Sequence, residues 1–249
     1  MKTKPFSHFI ARPISLLAAM LTLIPIGLTT ATAHDDRGPQ RLHARHFHIL
    51  PPRPHPLRNI YAQYQAKWWQ WATSLPADHH PLLDTADCSA GQSGPVWFLG
   101  GVFGAGAADR TCSIPAGKAL FFPVLNQLFF GDRGETEAEM REVVNIIMNH
   151  IVRMSVEIDG IAVPQLNRFR TESALFNVGP FPANAVFGLA EGATYPAVDD
   201  GVYLLLLPLS PGAHTIHCSG EVFVPEDVLG FEYGFTQDFT YHITVSGRR

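Results

Sequence analysis

Over residues 235–245 the side chains alternate in kind: Phe235, Phe239, Tyr241, Ile243 and Val245 fall on one side, Thr236, Asp238, Thr240, His242 and Thr244 on the other. A period of two sends these sets to opposite faces of a strand, one buried and one wet. The chain must therefore build a sheet with one covered face. Further strands are expected at 95–103, 110–114, 118–130, 154–158, 174–178, 202–207 and 214–224, with Gly and Pro at most joints. Pro123 predicts a strand edge or a bulge, and Asp159-Gly160 predicts a tight hairpin returning through 161–163. The apolar run 202–207, bounded by Asp200-Gly201 and Pro208, reads as a buried central strand.

Two helices interrupt this pattern. Ile60, Tyr64, Trp68, Trp71 and Leu75 recur every three or four residues up to Pro76, which places Trp68 and Trp71 inward and leaves Trp69 partly exposed. Thr136 and Glu139 form a capping box, and Met140, Val143, Val144, Ile147, Ile151 and Met154 are expected to make one face. The expected class is mainly β: an antiparallel β-sandwich or jelly roll with two packed α-helices.

The N-terminus supplies an address. Lys2, Lys4 and Arg12, an apolar run from Ile14 to Leu28, and Ala31-Thr32-Ala33 form a signal peptide over 1–33, so the protein is expected to be secreted or periplasmic, with no membrane span after cleavage. Three of the 18 basic residues and none of the 22 acidic ones leave with it, which moves the net charge from −4 to −7. That sign argues against nucleic acid or anionic lipid as partner, because both need a basic footprint. Residues 34–56 are rich in Pro, Arg and His and read as a disordered tether, so a chain starting near Leu57 is expected to fold as well as the mature one. The imidazoles of His34, His43, His46, His48 and His55 can capture metals, but their spacing fixes no geometry. His34 would become the mature N-terminus, where amine and imidazole can chelate copper only if a rigid frame holds them. Residues 57–249 are read as one β-sandwich domain.

Cysteine usage fits an exported protein. Cys88 and Cys112 flank an apparent hairpin and are expected to form a disulfide, stabilising by roughly 3–4 kcal/mol in the chain-entropy model. Cys218 alternates with His214 and Ile216 in an expected strand and reads as a small buried hydrophobe. Residues 68–72 (WWQWA), 91–98 (GQSGPVWF), 115–126 (PAGKALFFPVLN) and 210–216 (SPGAHTI) form a set. Together they resemble a group of exported bacterial proteins of unassigned function, and the resemblance runs from about Tyr61 to the end. It implies export and carries no catalytic residue with it.

Candidate chemistry is sparse. Ser93 sits in Gly91-Gln92-Ser93-Gly94-Pro95, one position from a nucleophile elbow, but a loop precedes it and a strand follows, which reads as a turn. Asp84 and Asp87 share a loop and can bind a cation or cap turns. His217 and His242 lie on polar strand faces with Asp238. If their strands pair in register, the three could form a two-His, one-carboxylate set for a metal or a general base; the expectation is that they do not pair this way. No cofactor motif is evident, and these residues leave a divalent metal open. The leading expectation is a binding or envelope-interaction module for a glycan, small molecule or envelope protein, using exposed aromatics such as Trp69. The rival is an extracytoplasmic hydrolase acting on an ester, lactone or glycosidic bond, with Ser93, His217, His242 and Asp238 as its catalytic candidates.

Overall fold

The computed structural model describes residues 47–53, 57–83, 87–103 and 106–247. The segment 1–33 read as a signal peptide, and His34, His43, His46, His55 and Asp84, lie outside them. In chain order the elements are β1 (Ile49–Leu50), α1 (Leu57–Thr73), β2 (Val96–Phe98), β3 (Gly106–Ile114), β4 (Ala119–Phe130), α2 (Glu137–Asn149), β5 (Ile151–Ile158), β6 (Ile161–Ala162), β7 (Arg170–Glu172), β8 (Phe176–Val178), β9 (Tyr195–Leu206), β10 (Gly212–Val224), α3 (Glu226–Leu229) and β11 (Tyr233–Val245). They form two packed sheets. The first runs β1-β9-β4-β2, with β7 and β8 also paired to β9; the second runs β3-β11-β10-β5-β6. Among the described residues no helix is long and apolar enough to cross a membrane.

The mainly β sandwich is the expected class, but its sheets are mixed. β2 pairs with β4 in parallel, and β3 pairs with β11 in parallel. Parallel neighbours need a crossover, and β3 provides one: the chain leaves the first sheet after β2, crosses to the second as β3, and returns as β4. The expected hairpin between Cys88 and Cys112 is therefore absent. The disulfide itself forms, with Cα atoms 5.8 Å apart, and ties the loop ahead of β2 to a strand of the opposite sheet. Cys218 is fully buried, and burial pushes its thiol pKa well up.

Other expectations hold with altered boundaries. The register of β4 on β9 shifts between Pro123 and Leu125, the bulge that Pro123 signalled. Asp159 and Gly160 both adopt positive φ (52° and 75°), as a tight hairpin requires. The Thr136–Glu139 capping box is present, but α2 ends at Asn149, so Ile151 and Met154 belong to β5 and not to the helix face. The segment read as a tether also differs at its end. Ile49 and Leu50 pair with Leu206 and Leu205, the His48 carbonyl accepts from Leu207 N–H, and the Tyr61 hydroxyl donates to the Leu50 carbonyl. Two adjacent apolar residues next to an open edge of β9 are enough to add a short strand.

The core lies between the layers. α1 packs on one face of the first sheet, where Tyr61 meets Phe121 edge-on and Trp68 meets Tyr203. α2 covers the other face, with Met140 and Val144 against Val198 and with Ile147 and Met148 against Leu125, Val222 and Val224. Gly220 lets β10 of the second sheet lie close to β4 of the first, because a Cβ there would lie 2.5 Å from the Leu125 side chain.

Candidate binding cleft

Beyond Phe121 the edge of β4 opposite β9 carries no strand among the described residues, since β2 pairs only with Ala119 to Phe121 while β9 continues to pair as far as Phe130. The edge of β11 away from β10 is likewise without a strand at its N-terminal end among the described residues, because β3 begins only opposite Gln237. Between these stretches lies a cleft of about 340 Å³. Trp68 and Trp69 of α1, Asn126 to Leu128 and Phe130 of β4, Tyr233 to Phe235 and Gln237 of β11, and Phe103 and Phe187 from loops line it. None of its described lining residues is charged.

Phe187 is the hub of the aromatic wall. Its ring lies 5.4 Å from Phe103, 6.3 Å from Phe130 and 6.5 Å from Trp69, all at steep or edge-on angles. Trp69 is only 7% exposed, which corrects the expectation of an exposed platform. Its indole turns inward because Nε1–H donates to Asp199 Oδ1 at 2.8 Å and because it packs edge-on against Trp68.

Behind this wall runs a buried polar network. Asp199 accepts from Trp69, from Gln65 Nε2 at 3.1 Å and from the Tyr203 hydroxyl, and Asn126 Nδ2 donates to Tyr203 Oη at 2.7 Å. Burial pushes the Asp199 pKa up to about 8; the three donors only partly oppose it, and neighbouring Asp200 adds to the rise. Asp200 takes a different course. Arg170 grips it with Nε at 3.0 Å and Nη2 at 2.6 Å, while burial still raises its pKa. Gly201 makes room for the network, since a Cβ there would sit 2.6 Å from the Tyr203 ring and 2.7 Å from Asn126 Cβ.

The carboxamides of the cleft are held in place. Gln127 Oε1 accepts from the Tyr233 hydroxyl at 2.8 Å and its Nε2 donates to the Leu128 carbonyl at 3.0 Å. Gln237 donates to the Val124 carbonyl and accepts from Val102 N–H. A larger cavity of about 540 Å³ lies beside β5 and the end of α2. Its two cations are already engaged, Arg170 by Asp200 and Asn149 and Arg153 by Glu221, which leaves it less to offer a ligand.

The other candidate residues do not converge. β10 and β11 do pair, contrary to expectation, with His217 opposite Thr240 and His242 opposite Thr215. His217 Nε2 meets Asp238 Oδ1 at 2.9 Å, but His242 Nε2 meets Asp109 Oδ1 on β3 at 3.0 Å. The result is two separate solvent-facing pairs. Among the described residues no three His, Cys, Asp or Glu are placed to hold one metal ion. Ser93 is exposed in the loop before β2. Asp87 caps a turn, accepting from the backbone and hydroxyl of Ser89, both at 2.8 Å.

Sequence reasoning missed Gln65, Asn126, Asp199, Tyr203 and Gln237. Two of them carried a signal: Gln65 shares the inward stripe of α1 with Tyr61, Trp68 and Ala72, and Gln237 shares the inward face of β11 with Phe239 and Tyr241. A polar residue in phase with a buried face has a partner to meet. No family model matches the chain, and no curated protein matches it. A solved structure titled "Structure of PbICP-C in complex with falcipain-2" covers 61% of this chain and 100% of that chain, at 11% identity and a TM-score of 0.23, which does not make the folds alike.

Proposed function

We propose that this is an exported binding module, acting in the periplasm or outside the cell, that engages glycan or protein of the cell envelope through the aromatic and carboxamide cleft. One observation carries the reading: a concave site walled by rings, with fixed hydrogen-bonding groups and no charged side chain among its described lining residues. The signal peptide and the Cys88–Cys112 disulfide support an oxidising, extracytoplasmic setting. Hydrolysis has less support. No Ser, His, Cys, Asp or Glu is among the described cleft residues, and Asp199 lies behind Trp69 with its oxygens engaged.

The test pairs binding with turnover on the purified mature chain. It should co-sediment with isolated bacterial envelopes, and Phe187→Ala should reduce the bound fraction at least about tenfold, as loss of a central aromatic contact does. Nitrophenyl esters and nitrophenyl glycosides should show no turnover above buffer. Saturable turnover, or equal sedimentation of parent and variant, would contradict the proposal.

A further inference from the structure

We infer that the ligand of this cleft is an uncharged sugar, read about one ring at a time. This rests on the binding proposal above and narrows it to one chemical class. Size comes first. About 340 Å³ lies at the small end of ligand pockets, suited to one compact ring rather than to a long chain laid end to end.

Wall chemistry comes next. A pyranose has an apolar C–H face and a rim of hydroxyls, each able to donate and accept. The cleft supplies a counterpart to both. Phe187 and Phe103 present ring surface, and Phe103 is 39% exposed. Asn126 uses one N–H of Nδ2 on Tyr203, which leaves its Oδ1 as an acceptor and its second N–H as a donor. Gln127 uses one N–H on the Leu128 carbonyl, which leaves its second N–H as a donor.

Rival classes meet specific obstacles. An extended peptide would bind by adding a strand to the open edge of β4. The Val124 and Leu128 carbonyls of that edge are already taken by Gln237 and Gln127, so the protein's own carboxamides stand where a peptide backbone would bond. An acyl chain would bury Asn126 and Gln127 without replacing the water they lose. An anion would find no cation among the described wall residues. The cation behind it, Arg110, is engaged by the Gly100 and Gly101 carbonyls and the Tyr241 hydroxyl at 2.7–3.1 Å.

Tryptophan emission offers a direct titration, since Trp68 and Trp69 line the cleft. The probes are neutral disaccharides of glucose, galactose and N-acetylglucosamine, the matching uronic-acid disaccharides, and an alternating valine–threonine hexapeptide. At least one neutral disaccharide should shift emission saturably, with its uronate counterpart at least about tenfold weaker. Gln127→Glu keeps shape, places a charge in the wall and gives up the bond to the Leu128 carbonyl; it should weaken neutral binding about tenfold while the chain still melts in one cooperative transition. Phe187→Ala should do the same, and Gln127→Glu decides the matter if Phe187→Ala fails to fold. Uronates binding as tightly as neutral sugars, displacement by the hexapeptide, or no response to any neutral sugar would overturn the inference. If envelopes still bind through the cleft in those cases, only the ligand class fails; if they do not bind, the binding proposal fails with it.

Discussion

Asp199 and Asp200 are neighbours on β9, and both are fully buried, yet they meet burial in different ways. Asp200 has a guanidinium, and Asp199 has only neutral donors. Neutral donors do not repay the desolvation of a carboxylate, so the folded protein favours its protonated form up to about pH 8. The unfolded chain releases that proton near its ordinary value of 3.8. Between those values the native state binds more protons than the unfolded state, so stability falls as pH rises. His80 acts in the opposite sense. Burial lowers its pKa from 6.5 to about 4, so the unfolded state binds the extra proton there and stability falls as pH drops through that window. The two effects oppose each other between about pH 4 and 6.5; above 6.5 that of His80 has ended, while that of Asp199 continues to about 8. Melting measured from pH 6.5 to 8.5 should show a decline in Tm that Asp199→Asn, neutral at every pH, removes. A parental slope that persists unchanged in the variant would contradict this. The sequence hid this carboxyl because Asp199-Asp200-Gly201 has the composition of a turn. The strand passes straight through it, since Gly201 vacates the space that Tyr203 and Asn126 fill. Composition marks where a turn is cheap, not what packs across the sheet.

Among the elements, those specified by their own residues were legible: the capped start of α2, the Asp159-Gly160 hairpin, the Pro123 bulge and the alternating strand β11. What depends on distant partners was not. The β2–β3 segment looks like a hairpin locally, and only pairing with β4 and β11 sends its halves to different sheets. The short strand β1 was missed for a similar reason, because the open edge of β9 that receives it lies more than a hundred residues away in sequence. A chain beginning at Leu57 would lose the β1 pairing, the Tyr61 hydroxyl's acceptor on Leu50 and the bond from Leu207 N–H to His48. Each lost bond is worth about 1 kcal/mol, so truncation should lower Tm by roughly 3–10 °C for a domain of this size. Equal melting of the mature and truncated chains would show that β1 adds nothing.

At the scale of the whole molecule, sandwich packing leaves two strand edges facing a common space, and the fold uses that space instead of closing it. Carboxamides cap the exposed carbonyls, aromatic rings line the walls, and a neutral network behind them supports Trp69 and Asn126. The two His–Asp pairs lie on polar strand faces of the other sheet, where such exposed pairs contribute at most about 1 kcal/mol each. The central claim is that ligand enters the cleft beside Trp69. Nitrogen–proton correlation spectra of the mature chain resolve the indole N–H of each of its four tryptophans, and that of Trp69 is bonded to Asp199 at the back of the site. Titration with the neutral disaccharide that shifts emission should move the Trp69 indole signal progressively to saturation while that of Trp97, outside the cleft, stays fixed. A stationary Trp69 signal at saturating sugar, or a shift confined to Trp97, would place binding elsewhere and contradict the account.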